Sequence, residues 1–276
     1  MDYNEIRKNG DRSNRKRKSN KWQIVFLAVA IVAAAVVAFL IINSSNVADN
    51  AKTITKTTQI PIVTPVPTAV PTPVPTATPL PRRGSAQPIP QDIREYMTGL
   101  SYKPNNNISL DDLSYLTIPH YDFNYNITEG HLVVNKALAE EVLDIFAELF
   151  DIKYPIERME LVDKYGADDF ESIEYNNTSA FNYRQSTSGG GLSRHALGRA
   201  IDINPQINPY VNSNGTGAHS NAREYWSRDK SKWTKEIARA AYIGKDSQIY
   251  KIFMKYGWEW GGSWSSYRDY QHFEKD

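Results

Sequence analysis

Hydrophobic and polar positions divide the chain into four unlike stretches. Residues 1–21 are polar, and residues 24–42 are 19 consecutive apolar positions. As a helix that run measures about 28 Å, close to the hydrocarbon thickness of a bilayer. Residues 44–90 lose all apolar periodicity and between 64 and 79 alternate Thr, Pro, Val and Ala. Prolines at that density forbid helix and sheet ladders and hold the chain near polyproline II. Thirty such residues reach roughly 90 Å as a semi-rigid spacer. Periodic patterns return only after residue 90. The expected organisation is a basic tail (1–21), a transmembrane anchor (22–43), a Pro/Thr-rich linker (44–90) and a folded domain (91–276). A cleaved signal peptide is the rival for the second stretch, with Val47/Ala48 as its cleavage candidate, but its apolar region is usually shorter.

Within the last stretch the spacing predicts a short helix over 92–100. Strands are predicted over 116–123 and 131–134, with a turn at 126–130. Asn135 is placed to cap a helix in which Leu138, Val142, Ile145, Phe146 and Leu149 recur at three and four. Further strands are expected at 154–162 and 180–184, a glycine-bearing loop at 186–191 and a helix at 233–243. A last helix starts near Asp246/Ser247 and ends at Gly257, followed by short strands at 258–260 and 271–274. Strands and helices mix without regular βαβ alternation. The fold class expected is therefore α+β, a mainly antiparallel sheet with flanking helices.

Composition narrows the chemistry. The chain has no cysteine, which excludes disulfides, thiolate metal sites and a cysteine nucleophile. The net charge of +1 hides an asymmetry: residues 1–43 carry eight Lys/Arg against three Asp/Glu, and the remainder has an acidic excess of four. The outer part is no basic nucleic-acid binder. Arg15, Lys16, Arg17, Lys18 and Lys21 sit beside the apolar run, and Trp22 suits the interface. The positive-inside rule then puts the N-terminus in the cytoplasm and the domain outside.

Candidate chemistry concentrates in 193–205, Ser-Arg-His-Ala-Leu-Gly-Arg-Ala-Ile-Asp-Ile-Asn-Pro, and in 269–274, Asp-Tyr-Gln-His-Phe-Glu. Asp202 lies between two isoleucines, where a carboxylate is costly to bury without a partner. On a strand, Asp202 shares a face with Ala200 and Asn204, and His272 shares one with Glu274 while Phe273 points into packing. His195, Asp202 and His272 would make three ligands with a fourth position open, as in catalytic zinc sites. The same residue types also fit a non-haem iron triad, or a hydrogen-bonded loop with ordinary histidines. Asp269, three residues before His272, is the candidate proton acceptor, with Glu259 its competitor. Arg184 is suited to a substrate carboxylate or a developing oxyanion, or to a surface ion pair. His120, His131 and His219 show no partner pattern and read as loop or packing residues.

Taken together, four motifs resemble a known family. They are 177–184 (Asn-Thr-Ser-Ala-Phe-Asn-Tyr-Arg), 193–202, 203–211 (Ile-Asn-Pro-Gln-Ile-Asn-Pro-Tyr-Val), and 257–264 (Gly-Trp-Glu-Trp-Gly-Gly-Ser-Trp) with 269–274. The family is that of the D-alanyl-D-alanine carboxypeptidases and L-alanyl-D-glutamate endopeptidases, in the wider group that includes lysostaphin and the hedgehog signalling domain. The resemblance implies one zinc ion held by His195, Asp202 and His272, with Asp269 as general acid/base. It gives Arg184 a role in engaging substrate, and Ser193 a supporting role behind the ligands. Many carboxypeptidase members have Glu-x-x-His at the last ligand, whereas this chain has Asp269-x-x-His272, as the endopeptidase branch does. The resemblance sets aside the iron reading. The function expected is a membrane-anchored peptidase hydrolysing the peptidoglycan stem peptide outside a bacterial cell, with a stalk suited to a thick Gram-positive wall. The alternative is a non-catalytic wall-binding or sensing module with a structural zinc.

Overall fold

The computed structural model describes residues 82–187 and 189–276. The expected basic tail and membrane span, and nearly all of the expected linker, lie outside these residues. Among the described residues no helix is long and apolar enough to cross a membrane.

Folded structure begins before the expected boundary at Gln91. Ser85–Pro88 forms an edge strand, β1, and is followed by the helix Gln91–Met97, α1. β1 pairs antiparallel with Leu113–Tyr121 (β2), which pairs antiparallel with Ile127–Asn135 (β3). Pro88 is tolerated because β1 is an edge strand, and Pro119 because it lies beyond the stretch of β2 that β1 covers. The β2–β3 turn falls at 122–126, not at the predicted 126–130. Asp122 Oδ1 accepts from the backbone N–H groups of Asn124 and Asn126, each at 2.8 Å, so an Asp side chain closes the turn early.

Alternation along this hairpin sorts its side chains onto two faces. Leu116, Ile118, Leu132 and Val134 enter the main core, while Leu113 and Val133 pack on a second cluster with Ile89, Met97 and Phe181. The main core is covered by Ala139–Asp151 (α2), which buries Val142, Leu143, Ile145, Phe146 and Leu149. Asn135 accepts from the N–H of Ala137 and starts the 3-10 turn that leads into α2.

The next segments are less regular than their composition predicts. Only Arg158–Met159 (β4) of the predicted strand at 154–162 forms, pairing in parallel with Asn177–Thr178 (β5). Buried asparagines replace the missing ladder: Asn204 Oδ1 accepts from the N–H of Glu157 and Asn177 Oδ1 from that of Glu160. Between them lies the short helix Asp169–Glu174 (α3), capped by Asp168. Residues 180–184 are no strand, because their N–H groups bond to three separate places: Phe181 to Val133, Asn182 to His195 and Tyr183 to Ser101.

The remaining strands are Ala200–Asp202 (β6), Tyr210–Val211 (β7), Glu259–Trp260 (β8), Arg268–Asp269 (β9) and His272–Glu274 (β10). β10 lies between β6 and β8, antiparallel to both, and β7 pairs with β9. Of the predicted helix at 233–243 only Glu236–Ala240 (α4) forms, since Asn208 Oδ1 binds the N–H of Ile243 and pulls the end of the segment away. The last helix, Gln248–Lys255 (α5), starts on a Ser247 cap and ends at Gly257 with φ +76°. The pairings are mainly antiparallel and the fold is α+β.

Candidate metal centre and cleft

Strand parity places the polar side chains. Ile201 and Phe273 point into the main core, where Phe273 stacks on Phe253 at 3.9 Å between ring centroids. Ala200, Asp202, His272 and Glu274 therefore point the other way, as the alternation predicts. The β6–β10 register sets Asp202 directly opposite His272. β6 is bonded on its other edge as well, through reciprocal backbone bonds between Asp202 and Ser179. Asp202 is thus carried on a strand held from both sides.

His195 arrives from the 3-10 turn Arg194–Leu197. Ser193 caps that turn, its Oγ accepting from the N–H of His195 at 3.3 Å. Gly198 closes it with φ +65°, and a Cβ there would lie 2.5 Å from the backbone nitrogen of Asn135. Only glycine satisfies both demands. The turn is therefore pinned against the N-terminal hairpin.

These elements bring three donor atoms together. His195 Nε2 lies 3.2 Å from His272 Nδ1 and 3.2 Å from Asp202 Oδ2, and His272 Nδ1 lies 2.9 Å from Asp202 Oδ1. Ligands about 2.0–2.1 Å from a tetrahedral zinc stand roughly 3.3 Å apart. The trio fits such an ion with small adjustments, and all three residues are buried. Their outer atoms are also engaged. His195 Nδ1 is 2.5 Å from the carbonyl of Ala180, and His272 Nε2 is 3.0 Å from Glu274 Oε2. Each acceptor keeps a proton on the far nitrogen, so the inner nitrogen is the one a metal would take, as in metal-binding imidazoles. Gln271 donates to Asp202 Oδ2 at 3.3 Å.

Electrostatics point the same way. Burial acts against the Asp202 carboxylate, but His195 and His272 hold its pKa well below the usual range. Burial also opposes the His272 cation, yet Asp202 and Glu274 outweigh it and push its pKa up to about 10. The pocket is built to hold positive charge beside Asp202, and a dication meets that demand more fully than a proton does.

Asp269 lies at the edge of the same cleft, which has a volume of about 530 Å³. Its residue is half-buried, but Oδ1 is shut off from solvent with no hydrogen-bond partner. Burial first, and the charge of Asp202 second, push its pKa up to about 7. Gly261 permits this placement, since a Cβ there would lie 2.7 Å from the Asp269 carbonyl oxygen. Glu259, the competitor, is exposed on β8 and does not line the cleft. Arg184 does line it and is ion-paired with Asp169.

Other cleft residues escaped the sequence reading. Trp264 sits 5.2 Å from the His272 ring and Tyr210 is 5.1 Å from Tyr267, an aromatic side to the cleft. Strand parity puts Glu274 on the same face as His272 but does not reveal its role behind that ring. His219 lines the cleft, whereas His120 and His131 do not. His120 is buried in the hairpin beside Gly130 and Met159, and His131 stacks on Tyr115.

Residues 186–275 match the family model described as D-alanyl-D-alanine carboxypeptidase. The match covers about a third of the chain, and this segment is similar to that family of peptidases. It contains His195, Asp202, Asp269 and His272, while Arg184 and α3 precede it. No curated protein and no solved structure matches the chain.

Proposed function

We propose that the chain is a zinc peptidase that hydrolyses a peptide bond of the peptidoglycan stem, tethered outside the cell by residues 24–42. The observation that carries the reading is the buried trio His195, Asp202 and His272 in one cleft with Asp269, whose Oδ1 has no hydrogen-bond partner. His195, Asp202 and His272 would hold a zinc ion, which would supply Lewis-acid polarisation and activate water near neutral pH. Asp269, with a pKa near the working range of a general base, takes a proton from the attacking water and returns it to the leaving nitrogen. Arg184 meets a substrate carboxylate or the oxygen that gains charge during attack. Ala180 and Glu274 hold the two imidazoles in the required tautomers. Ser193 fixes the turn that carries His195.

The family description favours release of a terminal D-alanine, whereas the Asp-x-x-His spacing favours a cut within the stem. Both use the same chemistry. The test is incubation of the purified chain with stem peptides, with and without chelator, products read by mass. Loss of one D-alanine blocked by chelator and restored by zinc marks a carboxypeptidase, and internal cleavage marks an endopeptidase. Stoichiometric zinc with no product from any stem peptide refutes the peptidase reading and leaves a binding module. Asp269→Ala should retain zinc and lose turnover; undiminished turnover would remove Asp269 from the mechanism.

A further inference from the structure

Helix α3 lines the cleft with Asp169, Phe170 and Ile173 and reaches His219 from behind through Glu174, although it lies before the family-matched segment. Asp169 pairs with Arg184 and accepts from Asn182 Nδ2 at 2.8 Å, which fixes its own orientation. Phe170 lies against His219, ring centroids 4.1 Å apart and planes within 27°. Glu174 Oε1 is 2.8 Å from His219 Nδ1, while its Oε2 accepts from Asn221 Nδ2 at 2.6 Å. Both Phe170 and His219 line the cleft.

The chemistry of this group is specific. A carboxylate acceptor at Nδ1 favours the tautomer with its hydrogen there, in which the lone pair lies at Nε2. Among the described residues no protein donor meets Nε2, and His219 is only 8% exposed. Phe170, by contrast, is 49% exposed beside it. A half-exposed Phe stacked on an oriented imidazole, both facing the cleft of a peptidase, is a surface that awaits a ligand. A peptide's most abundant donor is its backbone N–H.

We propose that His219, braced by Glu174 and Phe170, is a substrate-binding residue that accepts a hydrogen bond from a backbone N–H of the peptide substrate. Arg184, braced by Asp169 from the same helix, supplies the anion contact beside it. This rests on the peptidase reading above, and it names α3 as the element that sets how the stem peptide lies in the cleft.

The two amide substitutions at 219 separate this role from a structural one. His219→Asn places its amide near the Nδ1 position, keeps the Glu174 bond and removes the acceptor at Nε2. His219→Gln places an amide oxygen near Nε2 and gives up the Glu174 bond. Steady-state kinetics on a stem peptide, with the zinc-loaded full chain, should show KM raised about tenfold in His219→Asn with kcat little changed. His219→Gln should recover part of that loss, and zinc content should stay constant in both. The reverse order, with His219→Asn near wild type and His219→Gln impaired, would mean that the Glu174 bond only holds the loop, and it would overturn the proposal. So would a fall in kcat at constant KM, or a loss of zinc. Peptide binding by calorimetry, which requires no turnover, keeps the test separate from the peptidase reading. A wild-type chain that binds stem peptide without cutting it would sink that reading while the two variants still decide the role of His219.

Discussion

Glu274 offers a quantitative test of the metal centre, because it touches no proposed substrate and only one proposed ligand. Its Oε2 is 3.0 Å from His272 Nε2, and the bond to His272 holds its carboxyl below the usual range. The carboxylate accepts only, so it forces the proton onto Nε2 and leaves Nδ1 free between Asp202 and His195. In Glu274→Gln the amide keeps an oxygen but also gains a donor. The side chain can then turn its NH₂ toward Nε2 and favour the tautomer with Nδ1 protonated, which cannot bind metal. In Glu274→Ala nothing holds the ring. Loss of such a partner weakens metal binding by about 10- to 100-fold, equivalent to roughly 1.4–2.7 kcal/mol. Glutamine should fall near the lower end and alanine near the upper. His195 provides the internal control, since its orienting acceptor is the Ala180 backbone carbonyl, which neither variant changes. Competition for zinc against a chromogenic chelator measures both constants without reference to turnover. If Glu274→Ala binds zinc as tightly as the wild-type chain, the account of how His272 is oriented is wrong. If the wild-type chain shows no zinc affinity, the metal reading itself fails.

Other consequences are equally measurable. Phe273→Ala removes a fully buried ring stacked on Phe253 and should cost about 3–5 kcal/mol in denaturant unfolding; a cost under 1 kcal/mol would mean the core repacks freely beneath the site. Zinc at a thousandfold excess over its Kd stabilises by about 4.1 kcal/mol. For a domain of this size that is roughly 8–16 °C in Tm, so calorimetry before and after chelation should show a drop of that order. An unchanged Tm would argue that the trio binds no ion. His120 supplies a pH prediction. Burial lowers its pKa, against the opposing Ile118 carbonyl and Asp122. The unfolded chain therefore binds the proton first, and stability present above about pH 6.5 falls as pH drops below it, by at most about 1.4 kcal/mol per unit. His120→Gln should flatten the stability profile between pH 5 and 6.5, and an identical slope would remove His120 from the acid response.

The site was more legible in the sequence than the fold around it, and the reason is physical. The period of two is enforced wherever a strand separates core from cleft, so Ile201, Ile203 and Phe273 announce by their burial where Asp202 and His272 must point. Gly198 and Asn135 likewise mark backbone positions that local chemistry dictates. The irregular segments carry no such local signal. Residues 154–162 have the composition of a strand, but their N–H groups are met by Asn177 and Asn204, which are 17 and 47 positions away from their partners. The Glu174–His219 pair spans 45 positions and the Asp169–Arg184 pair follows no helical or strand period. Contacts of this kind depend on how loops return to one another, and no spacing rule announces them. The turn at 122–126 was legible in principle, since an Asp followed by two asparagines is a turn signal, but the asparagine and glycine at 126–130 compete with it. Gly130 is needed instead for packing, with Met159 and His120 where a Cβ would be.

The precision of the candidate metal centre is a property of packing more than of the polar residues themselves. β6 and β10 are three residues each, too short for their ladder alone to specify register. A slip of one residue would turn His272 into the core and Phe273 into the cleft, reversing every face at once. Burial opposes that slip from several directions. Phe273 is wedged on Phe253, Trp258 packs edge-on to the same ring, and Ile201 and Ile203 fill the floor beneath β6. The outer edge of β6 is clamped by Ser179, whose neighbour Ala180 supplies the carbonyl that orients His195. One run of backbone therefore fixes the strand carrying Asp202 and the tautomer of His195 together. Three potentially charged side chains can be held within 3.2 Å of one another because apolar contacts on the opposite face leave them nowhere else to go.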